Sequence, residues 1–502
     1  MNQKNIQQFL LYVLLAVVLV WTPACERGEN VDQAAVLEVM HGISGETLIG
    51  YVQELASDRY AGRLTGSPEY TACARWMADR LAGWGIKPAG DDGSYLQAFP
   101  CPYTDVLDSG ELTVKSGEIA KTFVYEQDYY PGSNSASGRV TAEVVYVGYG
   151  ITAPELGYDD YAGIDVEGKI ILLEREVPLS PDDDAEAFLK WRPYSFHQYK
   201  LKNAHDHGVK GILYNYLTTN TNTPYIEGLL FSQISGDVTT AILDGTGRTA
   251  EELKTEIQKT LKPQSFATGK IATLANRTLH HPEGTGYNVI GVLEGTDPVL
   301  KDEVILLGGH LDHVGRCHEI MPGANDNASG IAVILGVAEA LASSPLKPQR
   351  TVAFMGIGAE ELGLIGARYY LDHPVFPLPK TAAFFNLDSV GRGDVLVALS
   401  GDNFPAFRDF ILTANRDHVG RTIQTPYFAN LGRPRNDSCE FLWKGVPSIS
   451  FGSRGGPPGL GHSTRDTADT IDPGILQDLA RILYLSVLDM ANQDSLDFRT
   501  GG

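Results

Sequence analysis

The sequence predicts an α/β protein in which a mostly parallel sheet, covered by helices on both faces, is interrupted by a β-rich insertion. Three observations lead there. After Tyr287, short apolar runs at 289–293, 304–307, 352–357, 382–387 and 446–451 alternate with helical stretches such as 330–342 and 360–373, the texture of buried parallel strands joined by crossover helices. From about 113 to 272 the texture changes to strand-like segments, among them 140–148 and 169–174, broken by Gly, Pro and Asp turns. A length of 502 residues accommodates two to four domains with full-sized cores.

Composition narrows the function classes. With 43% hydrophobic residues the chain is neither disordered nor a disulfide-stapled miniprotein. Lys and Arg number 40 against 62 Asp and Glu, a formal charge of −22, which leaves no excess of cation to neutralise phosphates and excludes nucleic acid as a partner. No 20–50 residue repeat is visible, so solenoids and propellers drop out.

The N-terminus reads as an export signal. Lys4 precedes an apolar run over 9–21, followed by Thr22-Pro23-Ala24-Cys25. Thirteen residues are short for a membrane span, which needs roughly 20, and right for a signal core. The small residue before Cys25 resembles the lipobox of bacterial lipoproteins, with Thr22 where that motif favours Leu. Residues 1–24 are therefore expected to be a lipoprotein signal peptide and Cys25 a lipidation site. The mature protein would be exported, held to the membrane only by an N-terminal lipid anchor, and face the periplasm or the cell surface. Outside the cytosol the remaining Cys73, Cys101, Cys317 and Cys439 could pair in three ways. None sits in a CxxC, so a thiolate zinc site has no support.

Apolar residues at Leu48, Val52, Leu55 and at Ala74, Met77, Leu81, Trp84 fall at helical spacing on either side of the turn Gly62-Arg63-Leu64-Thr65-Gly66. In the insertion, a helix around 199–207 feeds an apolar strand at 209–214.

Ligands bind beyond the carboxyl ends of the strands in an open α/β sheet. After Tyr287 those ends carry His310 and Asp312, then Glu360 and Glu361, then Asp388, and finally a Gly/Pro-rich loop with His462; Asp326 opens the helix at 330–342. Taken singly, each has an ordinary explanation: a helix cap, a first-turn acid, a turn carboxylate or a solvated loop His. Together they place five carboxylates at one edge, where they repel unless a cation is present. Two His and several carboxylates without a thiolate suit zinc or a similar divalent ion. With Asp326 shared between two ions, His310, Asp326, Glu361, Asp388 and His462 give each metal three protein ligands and an open position. His313 and His318 are left as surface residues or supports for the ligands.

These stretches, His310-Leu-Asp312, Pro322-Gly-Ala-Asn-Asp326-Asn-Ala-Ser-Gly330, Gly358-Ala-Glu360-Glu361-Leu-Gly363, Asn386-Leu-Asp388 and His462-Ser-Thr-Arg-Asp466-Thr467, resemble zinc metallopeptidase family 28. Those enzymes are co-catalytic aminopeptidases of the phosphorylase/hydrolase-like fold. The segment with Val147-Gly-Tyr-Gly150 and Tyr158-Asp-Asp-Tyr-Ala-Gly163 resembles a protease-associated (PA) domain. The resemblance implies an N-terminal part of the catalytic domain at 30–112, an inserted PA domain at 113–275 and the remaining catalytic domain at 276–495. It implies two Zn²⁺ ions per chain, one on His310 and Asp388, the other on Glu361 and His462, with Asp326 bridging. Asp312 would orient the His310 ring, and Glu360 would be the general base, kept from ligation because adjacent helix residues point about 100° apart. Where family members often read Ser-Asp-His, this chain has Asn436-Asp437-Ser438, which bears on substrate contacts nearby. A disulfide between Cys317 and Cys439, near two of these motifs, is a further possibility.

The resulting expectation is an exported di-zinc aminopeptidase that hydrolyses N-terminal peptide bonds of peptide substrates with metal-activated water. A carboxypeptidase or dipeptidase on the same fold is the nearest alternative, with Arg433, Arg435 or Arg454 to hold a substrate carboxylate. Glutaminyl cyclisation and a non-catalytic PA-domain receptor rank lower. No GxSxG or HExxH occurs, which removes serine-hydrolase and thermolysin-like mechanisms. Oligomeric state is not legible.

Overall fold

In the computed structural model, residues 33–429 and 436–498 are described. Cys25 with its signal, and Arg433 and Arg435, lie outside them. No helix among the described residues is long and apolar enough to cross a membrane.

Four parallel strands form the centre of a nine-stranded sheet, in the order Thr351–Ile357, Val304–His310, Thr381–Leu387, Ser448–Arg454. They are the near-continuous apolar runs of the sequence, and the first three are buried along almost their whole length, as a sheet covered on both faces requires. The flanks differ from the mostly parallel expectation. Thr285–Leu293 pairs antiparallel with Thr351–Ile357, and Val395–Leu399 antiparallel with Ser448–Arg454. Their carboxyl ends face the opposite edge, which is why neither supplies a polar residue to the edge that carries His310.

Helix Ser329–Ser343 covers one face together with Pro473–Ala491 and Gly45–Leu55, in a single core that also takes in Leu48, Val52, Ala74, Met77 and Leu81. Helices Gly45–Leu55 and Pro68–Gly83, which a further helix Gln33–Gly42 precedes, thus bury the faces that their periodicity marked. Ile365–Asp372 and Asp437–Trp443 cover the other face through Ala367, Tyr370 and Phe441. Successive crossovers from Val304–His310 therefore leave on opposite sides, and the crevice at that reversal is where ligands bind in such sheets.

The insertion builds its own eight-stranded sheet. Four of its strands, Gly138–Tyr146, Ile170–Glu174, Gly211–Asn215 and Leu230–Ile234, run parallel. Helix His197–Asp206 packs on one face and Gly236–Leu243 with Ala250–Thr260 on the other, so the segment is α/β at its centre rather than purely β-rich. The motif pieces around Tyr149 and Tyr158 clasp each other here. Buried Asp160 accepts hydrogen bonds from the N–H groups of Tyr149 and Ile151 and from the Tyr158 hydroxyl. Burial, only partly offset by those bonds, lifts its carboxyl to about 7.

Cys73, Cys101, Cys317 and Cys439 are all buried, and Cys317 is a free thiol that donates to the Pro131 carbonyl at 3.4 Å, so the suggested disulfide between Cys317 and Cys439 does not form.

Arg63 ties the N-terminal helices to the loops beyond His310. It is completely buried and donates from Nε to the Leu311 carbonyl at 2.9 Å, from Nη1 to those of Leu55 and Pro322 at 2.7 Å each, and from Nη2 to that of Gly323 at 2.8 Å. Beside it Gly62 has φ +77°, and a Cβ there would lie 2.3 Å from the Gly315 carbonyl oxygen, so only glycine lets the turn approach so closely. Arg63→Met should strip all four carbonyls of their donor and destabilise the protein by roughly 3–5 kcal/mol. Urea denaturation measures this, and an unchanged midpoint would remove Arg63 from that role.

Candidate metal centre

The carboxyl ends of the parallel strands bring His310, Asp326, Glu361, Asp388 and His462 together. Val304–His310 ends on His310 itself, fixed by its Nδ1 hydrogen bond to the Asp312 carbonyl at 3.1 Å. Since a carbonyl only accepts, Nδ1 carries a hydrogen, and Nε2 is the ring nitrogen left to face the carboxylates and, once deprotonated, to bind a metal. That Nε2 lies 3.2 Å from Asp326 Oδ1 and 3.6 Å from Asp388 Oδ1. On the other side, His462 Nε2 lies 3.3 Å from Asp326 Oδ2 and 3.1 Å from Glu361 Oε1. Asp326 thus offers one oxygen to each imidazole.

Local structure departs from expectation at three of these positions. Glu360 and Glu361 are not on a helix: the chain turns at Gly363 (φ +101°) and Leu364 (φ +62°), whose N–H groups both return to the Glu360 carbonyl, and the helix starts only at Ile365. The 100° separation expected of helix neighbours does not apply. Asp326 likewise precedes its helix, in the turn Ala324–Ala328. Buried Asp466 holds that turn by accepting the N–H groups of Asn325 at 2.8 Å and Asp326 at 3.2 Å, and is itself paired with Arg392. Third, Asp312 does not orient His310 through its carboxylate, which stands 3.8 Å from Nδ1. Its oxygens instead accept from Glu360 N at 3.2 Å and Glu361 N at 3.3 Å, so it fixes the acidic turn. Burial, partly offset by His310, raises that carboxyl to about 7.

His313 and His318, grouped together in the sequence, part company. His318 is exposed and lies edge-on to Tyr125. His313 is fully buried, and its Nδ1 lies 3.0 Å from Glu361 Oε1. It belongs to one of three sets whose donor atoms lie within 4.8 Å of one another: His313, Asp326, Glu361 and His462; His310, Asp326 and Asp388; and His310, Glu360 and Glu361.

Electrostatics couples the two sides. Burial opposes charge on the rings of His310 and His462, yet the carboxylates facing them hold both well above the ordinary imidazole range. Burial would likewise raise Asp326 and Glu361, but the rings outweigh it, keeping Asp326 well below the usual carboxylate range and Glu361 at about 2. The donors fit a divalent cation as well as they fit protons. Bonds of 2.0–2.1 Å in a tetrahedron put ligand atoms about 3.3 Å apart, and the four His-to-carboxylate separations span 3.1–3.6 Å.

The centre opens into a cleft of about 800 Å³. Glu360, Glu361, Gly363, Arg368 and His462 line one side, and the inserted unit supplies the other, with His197, Tyr199, Tyr216, Asn220 and Asn222.

Residues 288–487, which contain His310, Asp326, Glu361, Asp388 and His462 but not the part of the cleft wall that the inserted unit supplies, match the model of peptidase family M28. The similarity to that family thus takes in the whole candidate centre. Aminopeptidase YwaD of Bacillus subtilis is 29% identical over 262 residues, covering 51% of this chain and 47% of that protein. The chain spans about half the length of such curated relatives. Among solved structures, an aminopeptidase from Aneurinibacillus sp. strain AM-1 superposes with a TM-score of 0.65 at 24% identity, over 92% of this chain and 98% of that one. A zinc aminopeptidase from Bacillus subtilis superposes at 0.59 with 19% identity, over 91% and 97%. The likeness in fold therefore extends beyond residues 288–487 to the inserted unit.

Because the carboxylates facing them raise both rings above the ordinary imidazole range, a cation bound through their Nε2 atoms competes with protons. Zinc titrated calorimetrically in buffers of different ionisation enthalpy should release protons, with affinity falling as pH drops. Affinity independent of pH between 6 and 8 would contradict the assignment of both imidazoles as ligands.

Proposed function

We propose that the protein is a zinc-dependent aminopeptidase that removes N-terminal residues from peptides. One observation carries this reading: Asp326 offers an oxygen to each of two His-carboxylate pairs, His310 with Asp388 and His462 with Glu361, at the mouth of a peptide-sized cleft in an M28 domain. The aminopeptidase names of its relatives and of structures with its fold support it.

Two zinc ions fit these five ligands, and zinc bound there would polarise the scissile carbonyl and acidify a water. The remaining work falls to the chain itself. Glu360 lines the cleft next to His310 and Glu361 and acts as the general base, taking a proton from the attacking water and passing it to the leaving amine. Burial raises its carboxyl well above the ordinary range, which suits a base working near neutral pH. Asp312 fixes the Glu360 main chain, and His313 holds the carboxylate of Glu361. We read the inserted unit as a PA domain on its two Tyr/Gly motifs, and Cys25 as the lipid anchor of an exported protein.

Carboxypeptidase action remains the competing reading. Arg454 turns away, donating to Gln424. Arg368 lines the cleft instead, its guanidinium 2.9 Å from Glu440, a pairing that leaves less of its charge for a substrate carboxylate.

Peptides blocked at one end separate the two. A C-amidated peptide should be cleaved and its N-acetylated counterpart spared; the reverse pattern contradicts the aminopeptidase reading. Glu360→Gln should keep its metal content and lose turnover by about 10²-fold or more, whereas Asp326→Asn should lose metal, as atomic absorption after dialysis would show. Near-normal kcat in Glu360→Gln would exclude Glu360 as the base.

A further inference from the structure

The two imidazoles at the centre are oriented by different parts of the chain. His310 is fixed from within the M28 domain, by the main chain of Asp312 two residues away. His462 is not. Its Nδ1 lies 2.6 Å from the carbonyl oxygen of Thr219, in the loop that follows strand Gly211–Asn215 of the inserted unit. The carbonyl can only accept, so this bond places a hydrogen on Nδ1 and turns Nε2 toward Asp326 and Glu361.

The same loop holds the other ligand of that half. Thr221 Oγ1 donates to the main-chain carbonyl of Glu361 at 2.7 Å. Asn222 fills the space over Gly363, where a Cβ would lie 2.7 Å from its Oδ1. Thr219 is completely buried and Thr221 nearly so. The loop owes its shape to buried Asn134, whose Nδ2 donates to the carbonyls of Thr221 at 2.9 Å and Thr223 at 2.8 Å. A second contact from the inserted unit, Glu126 accepting from Thr464 Oγ1 at 2.5 Å, steadies the His462 loop.

We propose that the inserted unit is a positioning element of the metal centre: loop 218–223 sets the tautomer and direction of His462 and the main chain of Glu361, so that metal binding at the His462 half requires the inserted unit while binding at the His310 half does not. This rests on the two-metal reading above. It assigns the inserted unit a role in building the centre itself, in addition to walling the cleft. Thr221 and Asn134 act through the loop and touch no reacting atom.

The test is zinc stoichiometry of the full chain by equilibrium dialysis over graded free zinc, for wild type, Thr221→Val, Thr221→Ser and Asn134→Ala, with thermal melts of the zinc-free proteins alongside. Thr221→Val and Asn134→Ala should each weaken one of two sites by about 10–100-fold, the cost of losing a partner that orients a ligand, and leave the other unchanged. Thr221→Ser, which keeps the hydroxyl, should restore the wild-type isotherm. Equal weakening of both sites, or a lowered melting temperature with unchanged binding, would show a merely structural loop and overturn the proposal. So would two undisturbed sites in all variants. If wild type itself binds fewer than two zinc ions, the two-metal reading fails first, and the proposal with it.

Discussion

Asp326 stands between two imidazoles, 3.2 Å from one and 3.3 Å from the other, and buried Asp466, brought from far along the chain and paired with Arg392, holds its turn there. Three carboxylates that face each other across so short a gap are stable only with compensating positive charge. Without metal, the imidazoles of His310 and His462, whose hold on protons these carboxylates strengthen, are placed to supply it. With metal, two divalent ions would supply it at nearly the same ligand separations. The ligand separations are therefore already close to those a divalent ion needs, and binding one there competes with protons on the rings.

Around that cluster the protein places a layer of buried polar groups, each holding main chain. Asp466, paired with Arg392, anchors the turn of Asp326; Asp312 anchors the turn of Glu360 and Glu361; Arg63 anchors the strand-end loops from below. None of the three depends on a side chain that would bind metal. Main-chain anchoring suits a centre whose ligands must keep their geometry while the charge between them changes. The inserted unit extends the same strategy from outside the domain through the Thr219 carbonyl.

Much of the metal centre was legible in the sequence because parallel strands deliver their carboxyl ends to one edge. A polar residue directly after each apolar run is then a local signal for a long-range meeting, and His310, Glu361 and Asp388 meet in that way. His462, far along a loop, was legible only as part of a set. The rest was set by packing that no periodicity records. Glu360 and Glu361 read as a helix start, because the positive φ at Leu364 leaves no mark in residue type. His313 looked no different from His318, yet one is buried against Glu361 and the other is exposed. Thr219 offers only a main-chain carbonyl, so no side-chain pattern could have singled it out. In the fold, the central strands and the helices Gly45–Leu55 and Pro68–Gly83 followed their apolar spacing. The antiparallel flanks did not, since direction depends on which edge a strand joins and not on its composition.

The most direct test of a two-ion centre bridged by Asp326 is a zinc-edge anomalous difference map from crystals of the full chain grown with zinc. Two peaks should appear at the cluster, one between His310 and Asp388 and one between His462 and Glu361, with a carboxylate oxygen of Asp326 bound to each. A single peak, or peaks away from these five side chains, would contradict the account.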